Sequence, residues 1–566
     1  MLRRKKMNHK IDELYRLWLK KADRDPDLQK ELSAIENHED AIEDAFYQDL
    51  KFGTGGLRGI IGAGTNRMNV YTVAKATQGL ANGLKKTAAS PSVAISYDSR
   101  RKSKLFAETA AEVLCANGIR VYLYPQLMPT PCLSYAVRYF HTSAGIMITA
   151  SHNPAEYNGY KVYGADGCQI TTEAASRILK EIEQLDPFED ILSSSYEEDL
   201  SSGKIQLIDE AVLSCFLDTV SQQSQLFGDD ADRSLSIVYT PLNGTGRVPV
   251  LKILEKQGFH NVSVVPEQEM PDGDFPTCPY PNPELDEALT LGKQLAEKKH
   301  ADLLIATDPD CDRVGVMARD GGALLRLSGN EVGLLLLDYI CQQKSRHHTM
   351  PADPVLIKTI VTSDLAEKIA QSFGVRTINV LTGFKYIGEQ IGLLENSGKA
   401  ASYVFGFEES CGYLNGTYVR DKDGVDGVML ITEAAAYWKA HGKTLVQRLN
   451  EIYGTYGYML NTLHSFSFPG EKGMHEMDGI MDRLRGPVQE IAGMNILERK
   501  DYSNGIDGLP KSNVMKFSFN GGSLVIRPSG TEPKLKIYAS ILDEDKEKAE
   551  AVEKKLIGAF KTEYIQ

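Results

Sequence analysis

The sequence predicts an α/β chain: three related mixed-sheet α/β domains and a smaller C-terminal α+β domain around a central cleft. Three observations lead there. A unit of short apolar strand, polar loop and helix recurs along the chain, with strands at residues 92–97, 236–240, 303–306 and 355–359. The pattern changes near the end, where runs at 514–519, 523–527 and 534–538 read as consecutive strands before one charged helix carrying Val552, Leu556 and Phe560. The length, 566 residues, suits about three to five domains.

Taken in order, residues 1–45 read as a helical extension. Ile11, Leu14, Trp18 and Leu19 share one helical face, with Trp18 as a packing anchor, and Pro26 breaks the pattern before a second helix through Leu32 and Ile35. Residues 46–225 form the first α/β domain. Its glycine-rich stretch, Phe52 to Gly59, surrounds Arg58, which could bind a phosphate bidentately. A helix over 70–88, a strand at 92–97 ending at Asp98-Ser99-Arg100, a helix through Phe106 and Val113 and a strand at 120–123 make a βαβ unit. Residues 226–328 and 329–465 are the second and third domains, and 466–566 a linker and the α+β domain, the boundary marked by Phe468-Pro469-Gly470. Repetition of this kind places equivalent strand ends similarly, and a shared cleft follows by inference.

Composition narrows function. Hydrophobic residues are 42%, enough for real cores, and charged residues 25%. The net charge of −13 argues against nucleic-acid or anionic-membrane partners, while leaving room for a locally positive pocket that takes an anionic small molecule. The 8 cysteines are scattered with no CxxC pair, which fits a reducing cytoplasm better than a disulfide scaffold or zinc knuckle. The basic start is not followed by the apolar run of a signal peptide, and Leu334 to Leu337 is too short to span a bilayer.

The chain is organised around Thr149-Ala150-Ser151-His152-Asn153-Pro154. The apolar run Ala144–Ile148 leads into it as a buried strand, and ligands of open α/β sheets bind at such strand ends. Asn153, Pro154, Asn158 and Gly159 predict a shaped loop. Ser151 is the candidate covalent nucleophile; an ordinary polar turn is the plain alternative. Because serine is a weak nucleophile, some base must take its proton. Lys161, which a depressed pKa would let shuttle protons, and His152 are the candidates.

Asp308-Pro309-Asp310-Cys311-Asp312-Arg313 follows another apolar strand. In an extended loop the three carboxylates point to one side, which is costly unless a cation sits among them, and oxygen ligands of this kind suit Mg²⁺. A phosphorylated Ser151 could complete the metal shell with one oxygen, so serine and metal together suggest phosphoryl transfer. Three more polar loops follow: Leu381-Thr382-Gly383-Phe384-Lys385, Gly406-Phe407-Glu408-Glu409-Ser410-Cys411-Gly412 and Arg420-Asp421-Lys422-Asp423-Gly424. The carboxylates at 408 and 409 suit the hydroxyls of a sugar. In the last domain Arg527-Pro528-Ser529-Gly530-Thr531-Glu532 joins two strands as a plausible phosphate cradle that could close over a substrate.

On these motifs the chain closely resembles the α-D-phosphohexomutase family, over roughly residues 46 to 545. The resemblance implies four domains around a deep cleft. It implies that Ser151 is phosphorylated in the active enzyme, that Asp308, Asp310 and Asp312 hold Mg²⁺ with the seryl phosphate, and that Lys161 is a general acid/base. Arg58, Arg313, Thr382, Gly383, Lys385, Glu408 and Ser410 would face substrate, Lys422 would be a second catalytic-cleft lysine, and Arg527, Ser529, Gly530 and Thr531 would bind phosphate. The sugar loop and the N-terminal extension look like the branch holding bacterial phosphoglucomutases and the animal phosphopentomutase and glucose-1,6-bisphosphate synthase type. The implied reaction moves phosphate between C1 and C6 of glucose through glucose 1,6-bisphosphate. Phosphopentomutase, phosphomannomutase or bisphosphate synthase activity is the alternative. A cytoplasmic monomer or weak homo-oligomer acting on a phosphosugar is expected.

Overall fold

The computed structural model describes residues 9–53, 55–529 and 533–565. Four sheets follow one another along the chain. The first has six strands, the second five, the third four and the last six.

The first three sheets share one four-strand pattern. A central strand (Ser92–Tyr97, Ile237–Thr240 or Val355–Thr359) lies parallel to a neighbour on each side. One of those neighbours, Ala144–Ile148, Leu303–Thr307 or Tyr403–Glu408, turns back into an antiparallel strand: Tyr157–Gly164, Val314–Asp320 or Gly412–Leu414. Each of these turns carries one non-glycine residue in the left-handed region: Ser151 (φ 51°), Cys311 (φ 51°) and Cys411 (φ 62°). Such residues cost about 1 kcal/mol or more and persist where their surroundings over-determine them. The repeat is therefore one of geometry at the functional turns as well as of topology.

Two sequence expectations change here. Asn158 and Gly159 lie inside the strand Tyr157–Gly164, not in a loop. Close packing explains their presence: a Cβ at 159 would stand 2.4 Å from the Thr149 carbonyl oxygen, and Asn158 Nδ2 donates to Ser103 Oγ at 2.9 Å. Arg58 likewise sits on a strand, Gly56–Ile60, paired with Tyr157–Gly164. In the C-terminal sheet the strand Tyr458–Ser467 pairs along its length with Lys534–Asp543, so the boundary expected at 465 falls within a strand of the last domain. The stretch after it is a helix, Gly470–Arg485, followed by the strands Glu490–Ile491 and Met494–Asp501.

The N-terminal extension forms the helices His9–Lys21, Pro26–Ala34 and Glu39–Phe46, with Asp25 capping the second and Pro26 at its first turn. It packs on the first domain through Trp18, whose ring meets Phe46, Tyr71 and Phe188 edge-on at 5.3–5.8 Å. One continuous core runs through the first three domains, from Ala94 and Met147 to Ile305, Leu336 and Val428. The last domain has its own core around Phe517, Ile526 and Ile537. It meets the third domain through a small apolar patch in which Ile360, Val361 and Leu381 face Val514, Val525 and Tyr538. The leucine run 334–337 is buried within Gly329–Arg346, and among the described residues no helix is long and apolar enough to cross a membrane.

Candidate active site

Ser151 is buried at the turn after Ala144–Ile148. Its amide donates to Thr149 Oγ1 at 2.8 Å, and its hydroxyl donates to Asp308 Oδ2 at 2.7 Å, across from the second domain. His152 Nδ1 lies 3.2 Å from the same hydroxyl. Burial, then the charges of Arg313 and Arg58, push the imidazole well below the usual histidine range, so the ring is neutral.

Asp308, Asp310 and Asp312 are all buried, and each offers an oxygen within 4.8 Å of the others. The loop is a turn rather than the extended segment expected; the left-handed Cys311 folds it back so that the carboxylates converge. Asp308 Oδ1 accepts from the amides of Asp312 and Arg313, both at 3.0 Å. Thr130 of the first domain holds Asp310 twice, donating Oγ1 to Oδ2 at 2.9 Å and its amide to the carbonyl at 2.9 Å. Burial and then the neighbouring aspartates push Asp308 well above the carboxylate range. Oδ1 of Asp310 and Oδ1 of Asp312 are buried without a hydrogen-bond partner. A buried carboxylate oxygen without a donor is costly. Crowded oxygens lacking donors are the donor set a hard divalent cation takes, so these residues fit Mg²⁺.

Two lysines reach the same carboxylates. Lys161 Nζ is 2.9 Å from Asp310 Oδ2 and 3.7 Å from Asp312 Oδ2. Lys422 Nζ is 3.1 Å from Asp312 and from Asp421, and 3.9 Å from Glu408. Burial alone would lower the Lys161 pKa, but Asp310 and Asp312 outweigh it and hold it above the ordinary lysine value. The depressed value expected from the sequence is thus reversed, because burial brought the lysine to carboxylates rather than to apolar walls. Lys422 is raised in the same way.

Around this centre, Arg58 Nη1 donates to Asn153 Oδ1 at 3.3 Å, and Arg313 pairs with Glu284 at 2.6 Å. Glu408 ends its strand and faces Lys422, with Ser410 hydrogen-bonded to it. Glu409 turns away from Lys422: its Oε2 accepts from Thr359 and Thr362 at 3.2 and 3.3 Å. Lys422 lies over the ring of Phe384 at 5.6 Å, which brings the start of the helix Phe384–Asn396 to the site; the loop expected over 381–385 ends at Gly383. Just before that helix Thr382 Oγ1 is buried without a hydrogen-bond partner and Gly383 has φ 115°, and in its first turn Lys385 Nζ lies over the Tyr386 ring at 5.2 Å. Arg527 stands over Tyr538 at 5.9 Å and the Ser529 amide donates to Lys534, while Gly530 and Thr531 lie outside the described residues.

Sequence reasoning missed Arg100, Thr130, Tyr163 and Glu284. Tyr163 donates to Asp421 Oδ2 at 2.7 Å, linking the first and third domains beneath Lys422. The end of strand Ser92–Tyr97 was visible, but nothing in Asp98-Ser99-Arg100 says that the arginine turns toward a loop fifty residues away.

Four family profiles match in order: phosphoglucomutase/phosphomannomutase alpha/beta/alpha domain I over residues 49–188, domain II over 214–321, domain III over 328–456, and the C-terminal domain over 472–557. The chain is 39% identical over 514 residues to a phosphoglucomutase of Staphylococcus haemolyticus, covering 88% of this chain and 91% of that one. It is 38% identical over 544 residues to a phosphoglucomutase of Staphylococcus aureus strain MRSA252, covering 93% and 95%. Two solved structures share the fold: a Paramecium parafusin in its open form (TM-score 0.68, 19% identity, covering 91% of this chain and 94% of that one) and a phosphoglucomutase/phosphomannomutase family protein of Burkholderia thailandensis (0.66, 17%, covering 90% and 97%). The four matched domains and the buried three-carboxylate cluster beside Ser151 mark a metal-dependent enzyme of reversible phosphoryl transfer. The chain belongs to the α-D-phosphohexomutase superfamily, close to the bacterial phosphoglucomutases.

Proposed function

We propose that the protein is an Mg²⁺-dependent α-phosphoglucomutase, interconverting glucose 1-phosphate and glucose 6-phosphate through phosphorylated Ser151 and bound glucose 1,6-bisphosphate. The observation that carries this reading is the buried Ser151 hydroxyl, 2.7 Å from Asp308 within the three-carboxylate cluster. The names of the staphylococcal relatives support glucose as the sugar. Asp308, Asp310 and Asp312 would hold the ion, which when bound offsets charge on the transferring phosphoryl group.

The other parts follow from the chain. Ser151 would alternately take and give the phosphoryl group. Lys161 and Lys422, whose pKa values the neighbouring aspartates raise, would suit donation of a proton to a departing oxygen. Glu408 and Ser410 would orient sugar hydroxyls, with Arg58, Arg313, Thr382, Gly383 and Lys385 lining the same cleft. Arg527, Ser529, Gly530 and Thr531 would hold the non-reacting phosphate and help keep water out while the bisphosphate turns over. The eight cysteines, all free, support a reducing compartment such as the cytoplasm.

The test is transfer of label. Incubation with glucose 1,6-bisphosphate carrying labelled phosphate should phosphorylate one peptide, at Ser151, and glucose 6-phosphate should discharge it. A chain that turns over with no label on Ser151 would overturn the covalent reading.

A further inference from the structure

Arg100 is wholly buried, and its guanidinium is spent on the backbone of the serine loop. Nη1 donates to the carbonyls of Pro154 at 2.7 Å and Tyr157 at 3.1 Å, and Nη2 to those of Ser151 and Asn153. Nε faces Asp98 Oδ2 at 3.3 Å. Asp98 is fixed in turn by the Arg100 amide at 2.9 Å and by Ser103 Oγ at 2.7 Å, and the ring of Phe275, from the second domain, lies under the guanidinium at 5.0 Å. One planar fork thus gathers four carbonyl oxygens spread over seven residues of a loop whose Ser151 sits at φ 51°.

We propose that Arg100 is the positioning residue for Ser151. By collecting these carbonyls it holds the loop in the one conformation that aims the serine hydroxyl at Asp308. Four directed donors in a plane are a property of arginine; a lysine ammonium keeps the charge and the Asp98 pair but has three donors from a single point, too few and too closely spaced to span the loop. A misplacement of about 1 Å at a reacting group can cost on the order of 10²-fold in rate. The effect should therefore fall on kcat and on the rate of Ser151 phosphorylation, with little change in KM, since Arg100 faces the loop's backbone rather than the cleft.

This inference rests on the phosphoserine reading, and the experiment separates the two. R100K and R100M would be compared with the full-length wild type by amide hydrogen exchange without substrate, by thermal midpoint, and by kcat and KM with glucose 1-phosphate. The expected result is faster exchange confined to residues 149–159 and kcat lower by about 10²-fold with KM within about threefold. If R100M does not fold, R100K carries the test. Wild-type exchange in the loop, or kcat within twofold of wild type, in R100K would overturn the proposal, as would a KM rise that accounts for the whole loss. Failure of the phosphoserine reading would show separately, as wild-type enzyme that never takes up label while the loop still loosens in R100K.

Discussion

Ser151 Oγ and Asp308 Oδ2 lie 2.7 Å apart although 157 residues separate them in the chain. Each stands where a parallel strand of its own sheet gives way to an antiparallel return, at equivalent places in two repeats of one fold. The bond therefore reports how two domains are docked, and Thr130 on Asp310 holds the same docking. The consequences below follow from that arrangement.

Removing the hydroxyl should remove the chemistry. S151A should lose at least about 10³-fold in mutase activity in a coupled assay, since alanine cannot carry a phosphoryl group. Its thermal midpoint should stay close to wild type, because the change deletes only the hydroxyl's contacts with Asp308 and His152 and leaves the loop's hold on Arg100 intact. Turnover like wild type would refute the nucleophile.

Mg²⁺ should stabilise the folded chain. Three buried carboxylates repel one another, and two of their oxygens lack donors. Binding at about 100 times the dissociation constant adds about 2.7 kcal/mol. Calorimetric scans should show a rise in midpoint with Mg²⁺ that chelator reverses and that D310N largely loses. An equal rise in D310N would place the ion elsewhere.

The last domain should loosen when Asp364 is changed. Asp364, at the edge of the third domain, faces Lys516 at 3.2 Å and accepts from Ser523 Oγ at 2.9 Å, both on the last sheet, with Lys358 at 3.3 Å behind it. Burial opposes ionisation, but the lysines prevail and hold its pKa down at about 2. A depressed carboxylate pKa contributes stability that is present above the unfolded value of 3.8 and is lost as pH falls toward about 2. D364A at neutral pH should cost about 1–2 kcal/mol, since the side chain keeps some contact with water. Limited proteolysis should then cut faster at Gly457, where the helix Leu445–Tyr456 passes into the strand Tyr458–Ser467, and an unchanged cutting rate would deny Asp364 that role.

Glu433 should make stability depend on pH near neutrality. It is fully buried on the helix Gly424–Ala440, accepts from the Gln225 amide at 3.0 Å and has Oε1 without a partner. Burial pushes its carboxyl up to about 7, against 4.5 when exposed. The folded chain then binds more protons between those values, so stability falls as pH rises from about 4.5 to about 7 and is level above. E433Q should gain about 2–3 kcal/mol relative to wild type between pH 5 and pH 8 in urea titrations. Parallel pH profiles for the two proteins would contradict it.

Much of this arrangement is legible in the sequence alone. The run 144–148 coincides with a strand buried at every position, since a strand covered on both faces is apolar throughout, and the runs at 120–123 and 355–359 are strands as well. Ser151 and the three aspartates stood out because polar residues interrupted such runs at their ends. The strand Tyr157–Gly164 was hidden because its asparagine and glycine imitate a turn; both are there for close packing against the serine loop and the next helix, a demand no local pattern records. The direction of the Lys161 pKa is not legible in the sequence for a related reason, since burial alone lowers a lysine, and only its carboxylate neighbours reverse the sign.

By itself, the order of residues determined the repeated strand–loop–helix units, the C-terminal change of pattern and the residue types at the head of each functional turn. Those follow from hydrophobic periodicity and turn chemistry, which act over a few residues. Tertiary structure alone decided that Ser151 meets Asp308, that Lys161 and Lys422 flank one carboxylate cluster, that Glu408 faces it while Glu409 turns away, and that Arg100 grips a loop fifty residues downstream. Those relations depend on how separate sheets pack, and packing is settled by surfaces brought together from distant parts of the chain, so no local stretch of sequence contains them.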